Sequence, residues 1–204
     1  INKVCVEDGG FVIKDPRVLQ TFDLLCKGFT NLLQSDALEQ INIKKLTEAS
    51  KINRTTFYLH FADLQAFVTY YVNRLFQHWS DIVNSVPSLP EHKSLQEPYP
   101  GLVQLLEYIK SEQELYHCLL VEHRLPLFTV ALREWMIKFT NQGFGTVTQT
   151  PTLSESERKV REVHILSGTI GSIVWWLEEG FPISSQKLAE ELTLIAAKGP
   201  FYLK

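Results

Sequence analysis

Residues 53–60 read NRTTFYLH, and six of these eight side chains can donate or accept hydrogen bonds. Phe57 and Phe61 stand four residues apart, so on a helix they share one face and can meet Leu46, Ala49 and Ile52 in a small core. Arg54, Thr55, Tyr58 and Leu59 then face outward. Arg54 can grip a guanine edge through two parallel hydrogen bonds, an interaction worth ~1–3 kcal/mol of discrimination against a wrong base. With Asn53 as a helix cap, Arg54, Thr55 and Thr56 fall in the first turn, where backbone N–H groups and side chains can reach phosphates and base edges together. The chemistry is recognition of duplex DNA.

Two short helices must hold this row in place. Residues 41–61, INIKKLTEASKINRTTFYLHF, read as a helix opened by Asn42, a tight turn, and a second helix opened by Asn53. Helices of this length are marginal by themselves, so their exposed hydrogen-bonding side chains serve something other than helix stability. Insertion into a major groove, as in a helix-turn-helix, supplies that purpose. Upstream, Asp15 and Pro16 give a start signal for a helix running to about Gln34. Val18, Phe22, Leu25, Phe29, Leu32 and Leu33 recur along it at three- and four-residue steps and form the stripe that packs across the back of the motif.

Thr56, Phe57, Tyr58, His60 and Phe61 together resemble the DNA-binding signature of the TetR family of one-component bacterial regulators. The likeness extends upstream to Asp15-Pro16-Arg17 and downstream along the helix from Leu64. Beyond that the chain matches in length and helical layout only. The resemblance implies a homodimer on a double-stranded DNA operator, with Lys44, Lys45, Arg54, Thr55, Thr56, Tyr58 and His60 as DNA contacts. It also implies control by a small-molecule effector. Two departures from the family matter: Leu64 stands where relatives commonly carry a lysine, and Leu19-Gln20-Thr21-Phe22 stands where many carry extra cations. Each missing cation removes a counterion-releasing contact, so weaker and less salt-sensitive binding is expected. The alternative is a TetR-like co-regulator acting mainly through a protein partner, for which an exposed Leu59 and Leu64 would be suited.

Charge follows the same division. Residues 14–80 hold eight lysines and arginines against six acids, whereas residues 81–204 hold eleven against fifteen. A slightly basic head on an acidic body suits DNA contact at one end. Cys5, Cys26 and Cys118 are far apart and read as buried or incidental thiols of a reducing cytosol, with no metal site expected. No apolar run reaches the ~20 residues that span a bilayer, so no membrane partner and a cytoplasmic location are expected. The chain begins at Ile1 and has its one methionine at Met136, which leaves room for residues before it.

The fold class expected is all-α: a three-helix helix-turn-helix domain at 14–63 and a helical effector-binding and dimerisation domain at 64–204. Residues 1–13 read as a flexible arm or a cloning remnant. From Leu64 a helix continues for about five turns through Phe67, Val68, Tyr71, Val72, Leu75, Trp79, Ile82 and Val83, and so links the two parts mechanically. The proline-rich stretch from Pro87 breaks it. Helices follow at 101–110, 111–123 and 125–141, then a turn-rich loop at 143–151. Next comes 154–179, opened by a capping box at Ser154 and Glu157, and last 184–197. Between Ile165 and Leu177 the helix is apolar nearly all round and should be buried on several sides. Ser167 with Gly171, and Gly168 with Ser172, are small pairs that permit close helix approach. The resemblance assigns 154–179 and 184–197 to a homodimer interface.

Bundles build ligand sites between helices, and Tyr108, Tyr116, His117, Trp135, Phe139, His164 and Trp175 are the ligand-binding candidates. The motifs of enzymes are missing: no glycine-rich phosphate loop, no G-x-S-x-G, no H-E-x-x-H. Neither catalysis nor a cofactor is expected.

Overall fold

The computed structural model describes residues 6–7, 10–11, 15–86, 98–143 and 154–198. Apart from a pair of two-residue antiparallel strands, β1 (Val6–Glu7) and β2 (Gly10–Phe11), every regular element among them is helical. The strands lie in the segment expected as an arm. The chain divides into two compact units, Ile1–Asn73 and Arg74–Lys204. Most of the expected loops, 87–97 of the proline-rich stretch 87–100 and 144–151 of the stretch 143–151, lies outside the described residues, while Pro100 opens one helix and Gly143 closes another. Among the described residues, no helix is long and apolar enough to cross a membrane.

The first unit contains α1 (Pro16–Ser35), a 3-10 turn (Leu38–Gln40), α2 (Ile43–Ala49), α3 (Arg54–His60) and the start of α4 (Leu64–Asn84). Three caps fall where the sequence places them. Asp15 accepts from the Arg17 N–H at 2.9 Å, Asn42 from the Lys45 N–H at 3.0 Å and Asn53 from the Thr55 N–H at 2.8 Å. Phe22, Leu25, Phe29 and Leu33 of α1 are buried with Leu46, Phe57 and Phe61. Aromatic rings pack on one another throughout this core: Phe22 meets Tyr70 edge-on at 4.8 Å, Phe61 meets Phe67 edge-on at 5.3 Å, and Phe22 lies tilted against Phe61 at 4.9 Å. Contacts of this kind add to the area buried and fix ring orientation.

Ala49 differs from expectation, being exposed, while Thr47 and Ser50 are buried. The reason is a close approach of α2 to α1 at Gly28. A Cβ built on Gly28 would stand 2.2 Å from Ser50 Oγ and 3.0 Å from the Ser50 backbone nitrogen. Both buried hydroxyls are satisfied locally, Thr47 donating to the Ile43 carbonyl at 2.8 Å and Ser50 to the Leu46 carbonyl at 2.7 Å. Gly28→Ala is therefore expected to push the helices apart and cost ~1–3 kcal/mol, the usual range for overpacking, read as a lower urea midpoint.

The second unit contains the rest of α4, α5 (Pro100–Ser111), α6 (Gln113–His117), a π-helical turn (Cys118–Glu122), α7 (Pro126–Gly143), α8 (Glu155–Glu178) and α9 (Ser185–Lys198). The capping box at Ser154 and Glu157 is present, and the Ser154 hydroxyl holds the Glu157 carboxyl below its ordinary range. Within this unit α5 packs on α9, and α6 and α7 on α8. Burial of α8 is one-sided, unlike the expectation of several sides. Leu166, Ile173, Trp176 and Leu177 are buried, whereas Val160 is 69% and Trp175 45% exposed. Among the described residues, neighbours cover one face of α8 only.

Candidate nucleic-acid interface

The turn between α2 and α3 sets the outward face of α3. After the Ser50 cap, the Lys51 N–H donates to the Glu48 carbonyl at 3.2 Å and the Ile52 N–H to the Thr47 carbonyl at 2.9 Å. This pair of bonds requires a left-handed residue between cap and exit, a place usually taken by glycine. Lys51 fills it with φ 55°, a conformation that costs a non-glycine residue roughly 1–2 kcal/mol. Its exposed side chain puts a cation at the turn just before α3. Sequence reasoning passed over Lys51 because no glycine marks the turn; the short spacing between Ala49 and Asn53 was the available signal.

Phe57 anchors α3 in the core. Arg54, Thr55, Tyr58 and Leu59 are all exposed, as expected, Tyr58 at 54% and Leu59 at 73%. Thr56 is half-buried. Arg54, Thr55 and Tyr58 thus present a guanidinium, a hydroxyl and a phenol from one short helix, beside a leucine able to touch a thymine methyl.

The remaining expected contacts divide. Lys44 is exposed, but Lys45 is tied to Asp36 at 2.6 Å. That ion pair holds the Asp36 carboxyl below its ordinary value, chiefly through the hydrogen bond from Lys45. His60 sets its ring edge-on to Phe22 at 5.1 Å, and burial pushes its pKa down. Burial thus disfavours the charged imidazole that a phosphate contact would use. Leu64 is half-buried, and Asp63 caps α4 by accepting the Ala66 N–H at 2.7 Å.

These shifts carry a pH dependence. Both groups titrate lower in the folded chain, so the unfolded chain takes up protons first as pH falls. The stability they contribute is present above their unfolded values, 6.5 for His60 and 3.8 for Asp36, and is lost as pH drops through the lowered folded ones. His60→Gln is expected to flatten the upper step, seen as a smaller drop in urea midpoint between neutral and mildly acidic pH.

The ligand candidates separate in the second unit. Tyr116 is fully buried and accepts from Trp79 Nε1 at 2.6 Å. Tyr108 meets Tyr116 edge-on at 5.9 Å, and burial pushes its hydroxyl above the ordinary range. Trp135 packs on Trp79 at 5.4 Å and stacks on Phe139 at 5.2 Å, while its Nε1 donates to Ser80 Oγ at 2.8 Å. Those four gather about Trp79. His117 turns instead to Glu122, and Trp175 is exposed on α8. His164 lines a separate groove of about 550 Å³ between α8 and α9, with Gly168, Leu192 and Ile195.

Comparison with known proteins bears on this arrangement. A family model described as transcriptional regulator C-terminal region, of the TetR type, matches residues 96–198. A curated relative, the uncharacterised HTH-type transcriptional regulator YxbF of Bacillus subtilis (strain 168), is 26% identical over 183 residues. That match covers 87% of this chain, and the chain spans 44% of the relative's length. Among solved structures, a TetR transcriptional regulator from Streptococcus agalactiae 2603V is similar with TM-score 0.67 at 18% identity, over 90% of this chain and 97% of that one. The dihydroxyacetone kinase operon activator DhaS is similar with TM-score 0.55 at 19% identity, over 87% of this chain and 94% of that one.

Proposed function

The chain belongs to the TetR family of transcriptional regulators, and from that premise we propose that it is a homodimer reading a palindromic operator through α3. The observation that carries the reading is the face of α3, where Arg54, Thr55 and Tyr58 are exposed while Phe57 holds the helix to the core. Lys44 and Lys51 flank it as phosphate contacts. Lys45 and His60 act behind the surface, one on Asp36 and the other on Phe22. Thr56 supports the first turn.

The second element is the outer face of α8 and α9. Val160, Trp175 and Ile195 are exposed apolar residues there, and Gly168 and Gly171 have open space above them. Another copy of the same pair of helices is the partner that covers such a face, and a two-fold places two α3 helices one DNA turn apart, roughly 34–36 Å. An effector that prefers one packing of the rings around Trp79 changes operator affinity by no more than its differential affinity for the two states.

Leu59 supports a second reading, a co-regulator docking on a protein, since a large apolar side chain at 73% exposure suits a protein contact. Selection of the chain against a random duplex pool, at low and at physiological salt, separates the two. A palindrome is expected. Absence of enrichment at both salts, from folded dimeric protein, removes the DNA reading in favour of the co-regulator.

A further inference from the structure

At the end of α6 the backbone leaves the α-helical path. The turn Cys118–Glu122 is π-helical and is closed by the His123 N–H, which donates to the Cys118 carbonyl at 2.9 Å. Arg124 then takes a left-handed conformation, φ 45°, and ends the turn. In an α-helix of 3.6 residues per turn, positions 118 and 123 would lie about 140° apart around the axis. The wider turn sets 123 over 118 instead. As a result a thiol, a carboxylate and an imidazole converge: the ligand atoms of Cys118, Glu122 and His123 all lie within 4.8 Å of one another.

The distances suit an ion. Cys118 Sγ stands 3.4 Å from Glu122 Oε2. That is close to the edge of a tetrahedron built on a metal–sulfur bond of ~2.3 Å and a metal–oxygen bond of ~2.1 Å. The other carboxylate oxygen, Oε1, is 3.2 Å from His117 Nδ1. Cys118 is buried, His123 half-buried and Glu122 exposed, so the thiol forms the floor and the mouth opens to solvent. π-Helical turns recur at functional sites, where the inserted residue re-aims side chains.

We propose that Cys118, Glu122 and His123 bind one divalent transition-metal ion of the zinc class, with His117 positioning the Glu122 carboxylate. A mixed sulfur, nitrogen and oxygen set selects such an ion over magnesium or calcium, which take oxygen ligands. Three protein ligands leave a fourth position for water. Because α6 packs on α8, an ion clamping this turn bears on the helix assigned above to the dimer. That regulatory consequence rests on the proposed function; the binding itself does not.

The test uses the untagged 204-residue chain, stripped of metal and titrated with Zn²⁺ against a chromophoric chelator, with Co²⁺ as the optical probe. One ion per chain is expected, with a Kd of about 1 μM or tighter, and a thiolate-to-cobalt charge-transfer band. Cys118→Ser should abolish the band. His117→Ala should keep the stoichiometry and weaken binding about 10–100-fold, as loss of a supporting partner does. Since Cys118 is buried, His123→Gln provides a milder ligand change, with far-ultraviolet circular dichroism confirming that each variant is folded. Absence of stoichiometric binding overturns the proposal, and so does binding that either Cys118→Ser or His123→Gln, shown to be folded, leaves unchanged.

Discussion

Gly168→Glu combined with Gly171→Glu is expected to yield a folded chain that sediments as a monomer and no longer binds a palindromic duplex as two copies. A Cβ on either glycine meets nothing within 4 Å in the single chain, so the substitutions cause no clash within it. Replacing glycine inside a helix even favours helix formation, by up to ~1 kcal/mol each. Across a two-fold the situation reverses. The four introduced carboxylates would face one another where backbones approach, and their burial unpaired costs several kcal/mol per ion. Sedimentation velocity at micromolar protein, with helicity monitored by circular dichroism, reads both halves of the expectation. A dimer that survives both charges places the interface elsewhere.

The other large effect is at Arg54. Its guanidinium is exposed in the first turn of α3, and a two-fold dimer brings two copies to the operator. Loss of one bidentate pair costs ~1–3 kcal/mol, so Arg54→Ala should cost about 2–6 kcal/mol on a palindrome, roughly 30-fold in Kd at the lower end. Affinity for a scrambled duplex should fall much less, because phosphate contacts carry no sequence information. Equal losses on both duplexes would make Arg54 a phosphate ligand.

Much of the head was legible because its signals are local. Asp15, Asn42 and Asn53 cap the helices that their positions imply, and each cap is one side chain reaching a backbone N–H two or three residues on. The phenylalanines of α1 and α3 repeat at helical steps and are buried accordingly. Ala49 misled because a seven-residue helix has too few positions to define an apolar face. The true contact was decided by Gly28 of another helix.

In the body the signals were non-local. An all-round apolar helix looks the same whether its second face is covered by its own chain or by another copy, and among the described residues α8 has one face covered. The ligand candidates were aromatic or histidine residues chosen by type, and only ring packing separates Tyr108, Tyr116, Trp135 and Phe139 from His117, His164 and Trp175. Cys118 was weighed by its distance from the other two cysteines and by metal-ligand spacing, which do not bring it together with Glu122 and His123. The π-helical turn that unites them leaves no periodic trace.

Two recognition helices related by a two-fold must meet two half-sites on the same side of the duplex. The decisive measurement is therefore affinity for the selected palindrome with five or ten base pairs inserted at its centre. Five turn the half-sites about half a revolution apart, given 10–10.5 base pairs per turn, and affinity should collapse to that of a single half-site. Equal affinity for the uninterrupted and the five-pair duplexes would contradict a dimer reading through paired α3 helices.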